Sequence, residues 1–182
     1  MVASGQLVRY AKHTSLALAL LLTSLAAHGQ TSKDPLTNDE VEKVRDTGAD
    51  PAQRIKLYMK FIEQRTTEIH KVASNARAQS PGMQIHNLLE EFTRLADELQ
   101  DNLETYSEDH SDMRKTLREL VDKSSKWESS LQEPKASQDY DFARKTALDT
   151  AQSTTELAKK VLDAQEQYFA THKGQKRTQT EN

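Results

Sequence analysis

The chain has 182 residues, with 25 Lys plus Arg against 28 Asp plus Glu, 35% hydrophobic residues and no Cys. Without Cys there is no disulfide framework, thiolate metal site, cysteine nucleophile or covalent haem attachment. A formal net charge of -3 lacks the basic footprint of a nucleic-acid binder, so no nucleic-acid partner is expected, and the length allows one domain or two small ones.

Arg9 and Lys12 precede a 14-residue uncharged run from Thr14 to Ala27, and small residues, Ala27 and Gly29, stand three before and one before Gln30. A basic start, an apolar stretch and a small-residue cut site predict a signal peptide over residues 1–29, cleaved between Gly29 and Gln30. The run is shorter than the roughly 20 apolar residues that a membrane span needs, so no stable span is expected after cleavage and the location is periplasmic or secreted. Removing Arg9 and Lys12 leaves 23 basic and 28 acidic residues in the remaining 153, a net charge of -5. Leu, Ile, Val and Phe number 26 of those 153, about 17%, a composition that approaches that of disordered chains. The small net charge and the periodic placement of the apolar residues argue instead for slender helices with much solvated surface.

Residues 30–49 read as a linker and a small helix. Thr37 and Glu40 fit a capping box opening a helix over about 38–46, with Gly48 as its stop. From residue 50 to 173 a helical domain is expected. Gly and Pro leave three uninterrupted stretches, 52–80, 83–133 and 135–173, and no segment alternates apolar and polar residues as a strand would. Asp50, Pro51 and Gln53 read as N-cap, first position and N3 of the first long helix, and Ser80 with Pro81 repeats the signal. Ser137, with Asp139 and Asp141, opens the last helix, and His172, Lys173 and Gly174 close it. The tail, residues 174–182, has no apolar residue and is expected to be disordered.

Each stretch carries apolar residues at spacings of three and four. The first seam is Ile55, Met59, Ile62, Thr66, Ile69, Ala73 and Ala76. The second is Leu89, Phe92, Ala96, Leu99, Leu103 and Tyr106, continued by Met113, Leu117, Leu120, Ser124, Trp127 and Leu131. A thinner seam, Ala147, Ala151, Thr154, Ala158, Val161, Gln165 and Tyr168, follows. This pattern predicts an all-α antiparallel helical bundle with coiled-coil-like packing. The seam passes through residues 104–112 in phase, which is compatible with one helix of roughly 50 residues flanked by two others. The polar cluster there, with Asp109 as an N-cap and Asp112 as its N3 acid, favours a break and hence four long helices after the short one.

The sequence is poor in catalytic constellations. None of His70, His86, His110 or His172 follows a Glu by three residues, as bundle di-iron sites require, and no His pair has i, i+4 spacing. His86 with Glu90 reads as a helix-face pair, and His110, beside Asp109 and Asp112, as a histidine at a helix junction. No G-x-S-x-G, phosphate loop or converging carboxylate pair is present: Glu90 with Glu91, and Asp97 with Glu98, are adjacent and point to different faces. Catalytic, cofactor and metal residues are therefore assigned as none, and no cofactor is expected. Leu57 with Phe61, and Phe142 with Phe169, either widen the apolar face or, if exposed, offer a patch to a partner.

Residues 34–69, DPLTNDEVEKVRDTGADPAQRIKLYMKFIEQRTTEI, resemble the opening of uncharacterised secreted helical proteins of soil bacteria, with an L-T-x-x-E-V start and a D/E-P-A-x-R-I/L-K-L helix. That resemblance implies a fold and an export route. Leu36, Thr37 and Glu40 are also similar to the L-T-x-x-Q motif of periplasmic stress chaperones of the Spy type. Here Glu40 replaces the Gln and no second copy follows. The basic concave surface which that family implies sits poorly with a net charge of -5. The expected function is that of an exported noncatalytic bundle acting through contacts with an unknown protein partner or its own copies in the envelope. The alternatives are a periplasmic chaperone or stress sensor, and a metal- or haem-binding bundle using His70, His86 or His110.

Overall fold

The computed structural model describes residues 34–107 and 111–172. The expected signal peptide (1–29), Asp109, His110, Lys173, Gly174 and the expected tail lie outside the described residues. Within them the chain forms five helices and no strand: α1 (Asn38–Asp46), α2 (Pro51–Ser74), α3 (Pro81–Ser107), α4 (Arg114–Gln132) and α5 (Asp141–Thr171). The reading with four long helices after a short one therefore holds, and the 50-residue central helix does not occur.

Most helix starts obey the local code. Thr37 and Glu40 form the full capping box, and Gly48 turns the chain out of α1 with a left-handed φ of 55°. Asp50 accepts from the backbone N–H of Gln53, and Pro51 occupies the first position of α2. Two expected starts are wrong. Helix α4 begins with Met113 as N-cap, so Asp112 lies before the helix, where its carboxylate takes both the Nε and an Nη of Arg114 at 2.8 and 2.7 Å. The cap comes from another helix: Gln165 of α5 accepts from the Met113 backbone N–H and donates to the Ser111 carbonyl, each at 2.9 Å. Helix α5 begins at Asp141, with Ser137 accepting from the Tyr140 and Asp141 backbone N–H groups in the preceding turn.

The contacts define a square. Helix α2 packs on α3 and α4, and α5 packs on the same two, while α3 and α4 do not adjoin. Tyr58 donates to Glu98 and Arg65 to Glu91, so α2 and α3 run antiparallel. Arg114 lies over the Phe169 ring and Arg118 donates to Glu166, so α4 and α5 do too. Lys123 reaches Glu63 and His70 pairs with Glu133, which makes α2 and α4 parallel; Gln100 bonds Thr154 while Gly82 meets Asp139, which makes α3 and α5 parallel. Successive helices alternate in direction, as an antiparallel bundle requires, yet α3 and α4 occupy opposite corners.

The core is the set of expected seams plus one flank. All six α4 seam positions from Met113 to Leu131 are buried, as are Leu89 to Leu103 and Ala147 to Gln165, whereas Tyr106 and Tyr168 are half-buried. Phe92 and Trp127 meet edge to face across the diagonal, with ring centroids 5.9 Å apart. Trp127 is 2% exposed, and its indole N–H finds no acceptor among the described residues. Ala73, in the last turn of α2, is exposed, and Ala76 leaves the first seam because α2 ends at Ser74. Asn75 takes an extended backbone and accepts from the Arg77 N–H in an Asx turn.

The short α1 is tied down by charge. Arg65, 8% exposed, donates from Nη1 and Nη2 to the two carboxylate oxygens of Glu40 at 2.6 and 2.8 Å, from Nη2 to the Pro35 carbonyl at 2.7 Å and from Nε to Glu91 at 3.0 Å. Glu40, 6% exposed, also accepts from the Thr37 N–H at 2.8 Å. One carboxylate thus caps α1 and joins it to α2. Burial pushes the Glu40 carboxyl upward, but the hydrogen bonds of Arg65 and Thr37 and the Arg65 charge outweigh it and hold the group below its usual range.

Glu40→Ala is expected to cost about 3 kcal/mol, because it removes two hydrogen bonds and the buried counter-charge of Arg65, leaving it Glu91 and the Pro35 carbonyl, and Glu40→Leu with Arg65→Met should recover most of it in urea unfolding. Since the folded carboxyl sits lower than the unfolded one, its contribution is complete above about pH 4.3 and is lost as pH falls through the folded value. Hydrogen exchange of residues 38–46 should accelerate over that interval in the wild type and be pH-independent in Glu40→Leu/Arg65→Met after correction for intrinsic rates. Trp127→Phe removes the orphan donor and should stay within about 1 kcal/mol of wild type, whereas Trp127→Ala should cost about 3–5 kcal/mol by the same assay.

Candidate functional site

One end of the square carries both helix connections, residues 75–80 and 133–140. Between them lies a cleft of about 690 Å³, with Val72, Ala78, Ile85 and Tyr140 among its lining. Ala73 and Ala76, expected in the seam, line this cleft instead. Local chemistry builds its walls. The Tyr140 hydroxyl donates to the Lys135 carbonyl, and Arg144 donates to the Pro134 carbonyl at 2.7 Å and to Asp141 at 2.8 Å, fixing the second connection. His70 Nδ1 meets a Glu133 oxygen at 2.5 Å, joining the ends of α2 and α4.

Gly82 lets the two connections close up. A Cβ at this position would lie 2.9 Å from Cβ and Cγ of Asp139, tighter than real side chains tolerate. Asp139 therefore approaches the first turn of α3, where a carboxylate complements the positive end of the helix.

Beside this cleft stand the two large apolar side chains that the described residues leave in solvent. Met83, next to Gly82 in the first turn of α3, is 67% exposed, and Phe142, two residues past Tyr140 in the first turn of α5, is 83% exposed. Because α3 and α5 are parallel neighbours, both stand at one end of the bundle. Of the residues expected either to widen the apolar face or to stay exposed as a patch, Phe142 is exposed, and Phe169 does not share its surface. Phe169 sits 27 residues along α5, about 40 Å away at 1.5 Å per residue, half-buried with the Arg114 guanidinium 4.5 Å over its ring. Phe61 is buried and Leu57 partly so. Met83 carries no periodic signal, and its position beside the Ser80–Pro81 helix start was the available clue.

The histidines are dispersed. His70 pairs with Glu133; His86 pairs with Glu90 at 3.2 Å, its buried Nδ1 meeting no partner among the described residues; His172 stacks on Tyr168 with centroids 4.2 Å apart. Among the described residues no group of three or more His, Asp or Glu is placed to hold a metal ion, and no helix is long and apolar enough to cross a membrane. Asp97 and Glu98 diverge as expected: Glu98 accepts from Tyr58 at 2.8 Å, and Asp97 is exposed. Comparison with family models, curated proteins and solved structures finds no match to this chain.

Gly82→Ala is expected to destabilise the bundle by about 1–3 kcal/mol, because Asp139 must back away from α3. Adding Asp139→Ala should recover most of that loss, and a double-mutant cycle in thermal unfolding reads the coupling.

Proposed function

We propose that this protein is an exported, noncatalytic helical bundle that binds another protein of the cell envelope through the end carrying Met83 and Phe142. The observation that supports this reading is the exposure of those two side chains on adjoining helices beside an open cleft. Covering a Phe or Met contributes roughly 1.5–3 kcal/mol each, enough for a pair of anchors at the centre of an interface. Export rests on the signal pattern of residues 1–29.

The chaperone reading draws on Leu36, Thr37 and Glu40, but Thr37 and Glu40 are committed to a helix cap and to the Arg65 ion pair. A metal or haem reading needs free imidazoles, whereas His70 and His86 face carboxylates.

Protein recovered from the source envelope should begin at Gln30 by N-terminal sequencing. A photo-crosslinking residue at Phe142 should give a discrete adduct, absent from the same residue at exposed Gln152 on the same helix. Equal labelling from both positions, or none from either, counts against the proposal. Phe142→Ser should abolish Met83-directed crosslinking while leaving stability within about 0.5 kcal/mol of wild type.

A further inference from the structure

A second surface separates charge across the bundle. Lys43 of α1 and Lys56 and Lys60 of α2 line an open groove of about 430 Å³ that also contains Leu57 and a single carboxylate, Asp46, so its lining keeps an excess of positive charge. All three lysines are exposed, and none forms an ion pair with a described residue. On α3, Asp97, Asp101 and Glu104 follow at spacings of four and three, all exposed and likewise without a cation in the described residues. Although its side chain is exposed, neighbouring protein atoms partly desolvate the Asp97 carboxyl and, with the Asp101 charge one turn away, raise it above its usual range, so the two acids repel each other. Unrelieved charge of opposite sign therefore occupies two patches of one molecule.

The patches point away from each other. At 100° per residue Lys56 and Lys60 lie close to the azimuth of Glu63, which reaches α4 through Lys123, and far from Tyr58 and Arg65, which reach α3. Asp97 and Glu104 lie within about 60° of the azimuth of Gln100, which reaches α5 through Thr154, and Asp101 between them turns further out toward solvent. The groove thus belongs to the α2/α4 side and the ridge to the α3/α5 side. Both stand at one level of the bundle, since Tyr58, between the lysines, bonds Glu98, between the acids.

We infer that a second copy of this chain docks its Asp97–Asp101–Glu104 ridge into the Lys43–Lys56–Lys60 groove of the first. This deepens the binding role proposed above by naming a copy of the chain as one partner, on a surface distinct from the Met83–Phe142 end. Complementary patches on opposite sides make a head-to-tail contact, which extends into an open series instead of closing as a two-fold dimer. Exposed ion pairs are individually weak and screened by salt, so the assembly is dilution- and salt-sensitive.

Sedimentation velocity on the full mature chain tests this with charge-reversed variants. At about 20 mM salt the weight-average mass should climb with concentration past roughly twice the monomer, and at about 500 mM salt it should fall to the monomer. Lys56→Glu/Lys60→Glu and Asp97→Lys/Asp101→Lys should each be monomeric at low salt, with helical circular dichroism unchanged. Their equimolar mixture should associate again, because each variant's altered patch meets its complement on the other. A wild type that stays monomeric at low salt overturns the inference, as does association that survives either reversal or a mixture that stays monomeric. None of these results touches crosslinking from Phe142, so the two readings fail separately.

Discussion

Twenty-six Leu, Ile, Val and Phe residues in the 153 after Gly29 have to cover the facing sides of four helices, and this scarcity governs how the bundle is assembled. A helix normally turns an apolar stripe more than 100° wide toward its core. Helix α5 presents a thinner one built on Ala143, Ala147, Ala151 and Ala158, which lets its neighbours approach its backbone closely, while Phe92 and Trp127 fill the middle from opposite corners. The remaining seam positions are polar but cheap to bury. Thr154 and Thr155 donate to carbonyls four residues back, and Thr66 and Ser124 to carbonyls three residues back, so each hydroxyl is satisfied within its own helix. Burial without unpaired hydroxyls is what allows so polar a chain to keep a continuous interior.

The seams were legible because a period of three and four survives even when Thr, Ser or Gln replaces a large apolar residue. Ile85, four residues before Leu89, extends the second seam toward the start of α3, whereas Leu95 was not picked out because a square bundle gives each helix two neighbours and therefore buries a wider arc than one seam. On α2 that second arc runs Tyr58, Phe61, Arg65 and Val72, at spacings of three, four and seven, with a cation in the middle. Hydrophobic periodicity passes over Arg65 because nothing in its immediate neighbourhood neutralises it. Its main partner lies 25 residues earlier on a helix whose attachment depends on the pairing. Helix ends followed a similar division. Caps made by adjacent residues, at Thr37 and Asp50, were readable; the one supplied by Gln165 from 52 residues away was not.

The clamp also explains why a nine-residue helix persists at all. Segments this short are marginal in water, and α1 touches only α2 among the long helices. Four attachments converge on α2 side chains: Arg65 holds Glu40 and the Pro35 carbonyl, while Arg54 donates to the Thr47 hydroxyl at 3.1 Å and to the Gly48 carbonyl at 3.1 Å, satisfying the end of α1. Both ends of the helix are thus fixed by arginines of α2. Holding α1 there is what creates the groove where Lys43 faces Lys56 and Lys60, so the buried ion pair reaches the surface chemistry through geometry alone.

Topology does the same for the apolar end. Had the four long helices followed one another around the square, α3 and α5 would stand at opposite corners, and Met83 and Phe142 would be separated by the width of the core. Placing α4 diagonally from α3 makes α3 and α5 parallel neighbours, so the first turns of both open at one end of the bundle. Parallel neighbours align their helix dipoles unfavourably, and carboxylates beside those first turns offset the effect: Asp139 at α3 and Asp141 in α5 itself. Gly82 permits the closer of the two approaches. The arrangement that gathers two exposed apolar side chains at one end therefore depends on a glycine and an aspartate 57 residues apart, neither of which shows any periodic signature.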